Sequence, residues 1–339
     1  MSADFPSISE VLLFSPRPAA DHAFDELARF LEPVVAPVKL RVLGRRWRDR
    51  YPPRHRAALI AGGGDETLEL LQSMEPPQGW KWFHLTASGP DHMADWGSLP
   101  GNPLRTYSRG VNARSMAEWA LGAILHFYRD FDLYVLAAQQ GCWERNWAQE
   151  LGGRTLVVLG AGHAGSELAR IAGALGMRTL GINRSGEPVV GFDEVYAADS
   201  PDGAADRAWR EADVVVVLLP LTDATRGSVD RERIRALPQN SLLLVASRGG
   251  IVDEDAVLEA VRDAHLSGAA FDVFATEPLP PDSELWYDSN ILVTPHVAGT
   301  TDRFMERTAV ILEKIWRALH EDPDLTRIED YRYRPSEEE

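Results

Sequence analysis

Residues 155–169 read TLVVLGAGHAGSELA, a short β-branched and apolar run that passes through Gly160, Gly162 and Gly165 into an apolar-periodic segment. No other stretch leaves the backbone so little freedom, because a strand must end and a helix must begin within the span of a G-x-G-x-x-G turn. Gly160 permits the tight turn, Gly162 lets a pyrophosphate come close to the main chain, and Gly165 lets the helix pack closely on the strand. The phosphate then lies at the positive helix N-terminus, in contact with the backbone of His163 and Ala164. A second strand at 178–182 completes a βαβ unit of about thirty residues. The stretch therefore predicts a dinucleotide site.

The rest of the chain repeats this alternation. Strands are expected at 155–159, 178–182, 213–219, 241–246, 268–272 and 291–294, each a near-continuous apolar run with a helical pattern between it and the next. Runs of that kind belong to parallel strands covered by helices on both faces. A smaller α/β unit precedes them, with strands at 11–14, 38–43, 57–61 and 81–87 and helices at 21–31 and 66–74. A long helix is expected over 115–140, ended by Gly141, with Ala117, Leu121, Ile124, Tyr128, Phe131 and Val135 as core residues. The last helix, 301–319, has no strand after it and should cross back onto the first unit. The expected architecture is α/β, with two Rossmann-like doubly wound parallel-sheet domains. Residues 1–100 plus 300–339 would form the substrate domain, and 101–299 the dinucleotide-binding domain.

Composition narrows the function. A net charge of −16 over 339 residues argues against nucleic acid and against anionic membrane surfaces. The longest apolar run, 214–219, is too short to span a bilayer. The single cysteine, Cys142, rules out an internal disulfide framework, and no secretory pattern opens the sequence, so a cytoplasmic location is expected. No His, Cys or Asp cluster has metal-ligand spacing, so no metal is expected. Nor is there a G-x-S-x-G serine elbow.

Ligands of an open parallel sheet bind beyond the carboxyl ends of its strands. Arg248 follows the strand at 241–246, Asp272 and then Glu277 follow the next, and His296 follows the last. These types suit reduction of a 2-oxo acid. A guanidinium holds the carboxylate and carbonyl oxygen with planar, permanently charged donors. An imidazole titrates near working pH, so His296 can give a proton to the carbonyl as hydride arrives and take it back in reverse. Glu277 bonded to the other ring nitrogen would fix the tautomer, and Asp272 would face the nicotinamide end of the cofactor. His84, His92 and His126 lack such company and are expected to be core or surface residues. Trp96, Trp286 and Tyr287 are candidate walls of a substrate pocket.

Five segments, LVVLGAGHAGSELA, VVVVLLPLTDATRG, LLLVASRGGIVDEDAVLEAV, GAAFDVFATEPLPPDSELW and NILVTPHVAGTT, occur in the order found in the D-isomer-specific 2-hydroxyacid dehydrogenase family, which the chain resembles over nearly its whole length. The resemblance implies that Arg248, Glu277 and His296 are the catalytic Arg, Glu and His. It places Ala87, Ser88 and Gly89 in the loop that takes the substrate carboxylate. Cofactor contacts are implied at Leu219, Pro220, Thr225, Ala246, Ser247, Asp272 and Gly299. It also implies an active site in the cleft between two domains and a homodimer built largely on the cofactor domain. NAD-using members commonly carry an acid about twenty residues past the glycines. Here Asn183 stands there, followed by Arg184 and Ser185. A neutral amide removes repulsion of a 2′-phosphate and Arg184 offers charge-assisted donors, so NADP(H) is expected over NAD(H). The expected activity is reduction of small 2-oxo acids of the glyoxylate and hydroxypyruvate class to D-2-hydroxy acids. The alternative is a cofactor-sensing, corepressor-like protein of the same fold without turnover.

Overall fold

The computed structural model describes residues 8–15, 21–43, 57–63, 65–72, 80–89, 93, 103–143 and 145–321. His92 and Trp96, and the tail beyond Glu321, lie outside them. The chain divides into two compact units, one of residues up to Asn112 together with those from Thr301, the other Ala113–Thr300.

In the first unit, strands β1 (Glu10–Phe14), β2 (Lys39–Leu43), β3 (Ala57–Ala61), β4 (Trp80–Leu85) and β5 (Leu104–Tyr107) form a parallel sheet in the order β2-β1-β3-β4-β5. Helices α1 (Asp21–Val35) and α2 (Asp65–Gln72) connect them. Alternate side chains along each strand point to opposite faces, and here both faces are covered. Val11, Leu13, Ile60 and Trp82 pack with α1, while Leu12, Phe14, Leu59 and Phe83 pack with Leu70 and Leu71 of α2. β5 was not expected from sequence. Its four residues, LRTY, alternate apolar and polar and bury only Leu104 and Thr106, so they carry no apolar run. Because β5 pairs with β4, the first unit extends to Asn112 rather than to residue 100.

The second unit opens with α3 (Ala113–Tyr128) and α4 (Phe131–Gln139). The single helix expected over 115–140 is thus broken at Asp130, whose φ of 52° is left-handed, a conformation that Asp tolerates better than most residues. The apolar period runs on through the break, which hides it from pattern reading. Its consequence is visible: Phe131 and Val135, expected in the core, are more than half exposed.

Strands β6 (Thr155–Leu159), β7 (Arg178–Asn183), β8 (Glu194–Ala197), β9 (Val214–Val217), β10 (Ser241–Val245), β11 (Leu266–Phe271) and β12 (Ile291–Val293) follow, with α5 (His163–Ala174), α6 (Ala204–Arg210), α7 (Arg231–Arg235) and α8 (Glu254–Arg262) between them. They form one parallel sheet in the order β12-β11-β10-β9-β6-β7-β8. Val157, Val215, Leu243 and Phe271 face one helical layer, and Val158, Val216, Leu244 and Ala270 the other. Fully burying such a side chain contributes about 2 kcal/mol, which is why these strands admit no polar alternation. The edge strand β8, EVYA, is only half-buried and was missed for that reason.

α9 (Phe304–Glu321) returns to the first unit. Ile311, Leu312, Ile315 and Trp316 join the α1 face of its sheet, and the buried Arg307 guanidinium donates to the Val111 carbonyl at 3.1 Å. Among the described residues, no helix is long and apolar enough to cross a membrane.

Candidate active site

The residues expected in the second unit to serve catalysis or the cofactor lie at or beyond the carboxyl ends of strands of the seven-stranded sheet. At the end of β6, Gly160 has φ +107°, and a Cβ there would stand 2.7 Å from the main chain of Leu218. A Cβ on Gly165 would reach the Gly160 carbonyl oxygen at 2.9 Å and Val158 Cγ1 at 3.0 Å. Those two glycines are required by close approach. Gly162 differs, since a Cβ there would meet nothing within 4 Å. It is the extended N-cap of α5, with no side-chain cap, so no Cβ stands at the start of a helix whose first backbone N–H groups carry the positive end of its dipole. That is the form a pyrophosphate needs, and the residues fit a dinucleotide.

At the end of β7, Asn183 shapes its own turn. Its Oδ1 accepts from the N–H groups of Ser185 (3.0 Å) and Gly186 (2.6 Å), and its Nδ2 donates to the Glu187 carbonyl. Arg184 and Ser185 are exposed on this turn. Beyond β9, the Thr225 hydroxyl is committed to the Pro220 carbonyl at 2.6 Å and closes the loop after Leu219 and Pro220.

β10, β11 and β12 are neighbours in the sheet, so the loops that leave them are side by side. Ala246 and Ser247 are buried at the end of β10, and the half-buried Arg248 donates from Nη1 to the Ser247 carbonyl at 2.7 Å. The next residue, Gly249, lies so close to Phe274 that a Cβ would fall 1.8 Å from its carbonyl oxygen. The Arg248 loop is thereby pressed against the segment carrying Glu277. Glu277 Oε1 accepts from the Phe274 N–H at 3.0 Å, and Oε2 accepts from His296 Nδ1 at 2.8 Å. Burial pushes the Glu277 carboxyl up. The hydrogen bonds from His296 and Phe274, with the positive charges of His296 and Arg248, outweigh it and hold Glu277 below the ordinary carboxylate value. The imidazole, its side chain 38% exposed, has Nε2 left for a ligand.

His296 adopts a left-handed backbone, φ 54°, and Asp272 accounts for it. Expected from sequence to face the cofactor, Asp272 is instead 1% exposed, with both oxygens turned to the loop around His296. Oδ1 accepts from the Thr294 hydroxyl (2.6 Å) and the Val297 N–H (2.8 Å), and Oδ2 from the Ala298 N–H (2.8 Å). The Asp272 carbonyl also accepts from the His296 N–H at 2.8 Å. A left-handed non-glycine residue costs about 1–2 kcal/mol, and one hydrogen bond to a charged group contributes about 1.5–3 kcal/mol, so the buried carboxylate can hold the turn. Thr294 in turn accepts from Trp119 Nε1 of α3 at 3.1 Å. Neither Thr294 nor Trp119 was singled out from sequence, and no local signal marks either. Gly299 is half-buried on the same loop.

A cavity of about 370 Å³ opens beside this group, lined by Phe274, Pro278, Leu279, Trp286 and Pro295 as well as Glu277 and His296. Of the candidate walls, Trp286 lines it, whereas the exposed Tyr287 donates its hydroxyl to the Pro281 carbonyl. In the first unit, Ala87, Ser88 and Gly89 follow β4, and the Ala87 carbonyl accepts from the Ser108 N–H at 2.9 Å. His84 is fully buried within β4, and His126 packs edge-on against Phe127.

Residues 121–298 match the family described as D-isomer specific 2-hydroxyacid dehydrogenase, NAD binding domain. The chain is 36% identical to the (S)-sulfolactate dehydrogenase of Chromohalobacter salexigens, over 62% of this chain and 68% of that protein. Among solved structures, a D-isomer specific 2-hydroxyacid dehydrogenase family protein from Aeromonas salmonicida superposes with a TM-score of 0.79 at 30% identity, covering 96% of this chain and 100% of that one. An NADPH-dependent glyoxylate/hydroxypyruvate reductase from Sinorhizobium meliloti, in complex with NADP and sulfate, superposes with a TM-score of 0.74 at 26% identity, covering 93% and 96%.

Proposed function

The chain belongs to the D-isomer-specific 2-hydroxyacid dehydrogenase family, and we propose that it is an NADP(H)-dependent reductase of small 2-oxo acids, of the glyoxylate and hydroxypyruvate class, forming D-2-hydroxy acids. The observation that carries this reading is the hydrogen bond of His296 Nδ1 to Glu277, with the Arg248 charge acting on the same carboxylate. A bound nicotinamide supplies the hydride. Arg248 holds the carboxylate and carbonyl oxygen of the substrate. His296, its Nδ1–H held by Glu277, delivers a proton from Nε2 to the carbonyl oxygen and takes it back in the reverse direction. Ala87, Ser88 and Gly89 are assigned to the substrate carboxylate.

The cofactor preference rests on the turn after β7. No carboxylate occupies position 183 to repel a 2′-phosphate, and Arg184 is exposed there to meet one. Oxidation of NADPH, followed by absorbance against a panel of 2-oxo acids, tests the reaction; absence of turnover on all of them overturns it in favour of a cofactor sensor. A higher kcat/KM with NADH than with NADPH overturns the preference alone.

The protein is further proposed to be a homodimer. On α4, Phe131, Leu133, Val135 and Leu136 are all exposed, and close by in sequence Trp143 and Trp147 are 94% and 100% exposed. So many large apolar side chains exposed along one short segment are more than a soluble monomer ordinarily carries. Light scattering after gel filtration, which reads mass directly, tests this; a monomer rejects it.

A further inference from the structure

The segment carrying Glu277 is anchored at a point the proposed chemistry does not use. Glu254 is the first residue of α8, directly after Asp253, whose side chain caps the helix by accepting from the Ala256 N–H at 3.0 Å. With Asp253 as cap and Asp255 also in the first turn, the N-terminus of α8 is already served. The Glu254 side chain does something else. Its Oε1 accepts from the backbone N–H of Ala275 at 2.6 Å, across to the loop that follows β11. Ala275 stands two residues before Glu277, and its neighbour Phe274 is the residue that donates to Glu277 and packs on Gly249. Glu254 and Gly249 thus meet the same peptide group of one loop, that between Phe274 and Ala275, and the far end of that loop presents the carboxylate that receives His296.

Glu254 occupies this place against an electrostatic cost. Burial raises its carboxyl above the ordinary value, in opposition to the Ala275 N–H, and Asp255, Asp253 and Glu277 add to the rise. Without an anchoring role, an acid in such company would gain by turning to solvent.

We propose that Glu254 is a positioning residue: it fixes the main chain at Ala275 so that Glu277 meets the Nδ1–H of His296. The consequence for rate rests on the reductase reading above, whereas the anchoring itself does not. Glu254→Ala removes the acceptor, and Glu254→Gln keeps an acceptor oxygen while removing the charge. In the NADPH-loaded chain, Glu254→Ala is expected to lower kcat with glyoxylate about tenfold, through misplacement of the Glu277–His296 pair, with NADPH affinity unchanged. Glu254→Gln is expected to restore kcat to within about twofold, because a neutral acceptor replaces the hydrogen bond. Amide hydrogen exchange of the loop around Ala275 should accelerate in Glu254→Ala and return in Glu254→Gln, while that of β6 and β9 stays protected. Wild-type kcat and wild-type exchange in Glu254→Ala overturn the proposal. So does a tenfold loss in Glu254→Gln, which also decides the matter if the alanine variant does not fold. If the wild-type chain reduces no oxo acid, the reductase reading fails by itself and the exchange arm still accepts or rejects the anchor.

Discussion

Two histidines show how differently the two units use the same side chain. His84 lies inside the first sheet with no exposed surface, its Nδ1 on the Thr106 hydroxyl at 2.8 Å and its Nε2 on the Ser108 hydroxyl at 3.1 Å. Ser108 passes the chain on to Thr308 of α9, and Trp82 donates to Thr106. Burial drives the His84 pKa down to about 3, so the ring stays neutral and serves as a polar rivet. His296 lies at the rim of the second sheet, partly exposed, with a carboxylate on one nitrogen and the other nitrogen left open. A hydroxyl on each nitrogen uses up the ring. A carboxylate on only one of them orients it for proton transfer.

The comparison breaks first, if it breaks, at His296. His296→Ala or Arg248→Ala should cut kcat about a thousandfold, the scale of a lost acid–base or anchoring group, with NADPH still bound; turnover near the wild-type level in either variant removes that residue from the chemistry. Glu277→Gln should cost about a hundredfold in kcat, the lower end of what acid–base catalysis contributes, by freeing the imidazole tautomer. The same substitution has a pH signature in stability. Because Glu277 ionises below the ordinary carboxylate value in the folded chain, its contribution is present above that ordinary value and lost as pH falls through the lowered one. The stability gap between wild type and Glu277→Gln should therefore narrow on acidification, and a gap that widens contradicts the pairing.

Asp272→Ala leaves the Thr294 hydroxyl and two backbone N–H groups without their acceptor. It should lower kcat about tenfold through displacement of His296 and reduce stability by about 3 kcal/mol or more; denaturant unfolding alongside kinetics separates the two effects. The smallest effect on rate belongs to His84. His84→Asn should change kcat by less than about twofold, since a fully buried ring with a hydroxyl on each nitrogen has no atom left for a ligand, yet it should alter acid stability. The unfolded chain takes up a proton near the ordinary value of 6.5 that the folded chain refuses down to about 3. Stability contributed in this way is complete above the ordinary value and is lost below it at about 1.4 kcal/mol per pH unit. The variant should show a shallower acid slope by that amount; an identical slope contradicts a neutral buried His84.

Much of the second unit is legible in its amino-acid pattern. The Gly160 and Gly165 contacts are between near neighbours in sequence or with the adjoining strand, so the spacing alone exposes them. The central strands announce themselves because burial on both faces demands continuous apolar runs, as in VVVV of β9. β5 and β8 escape such reading because a short edge strand has no such demand. The break at Asp130 escapes it because the apolar period continues across into a helix whose apolar residues are not buried.

The sequence by itself determined that Arg248, Glu277 and His296 would follow strands at one edge of the second sheet, since chain direction puts every loop after a parallel strand at the same edge. Only the tertiary structure decided what supports them. Asp272 reaches Thr294 across 22 residues, and Glu254 reaches Ala275 across 21. Both bonds exist because the sheet order makes β10, β11 and β12 neighbours. Local pattern encodes each strand and each turn, but strand order is set by how all the apolar faces are covered together, and that is a property of the whole packed unit.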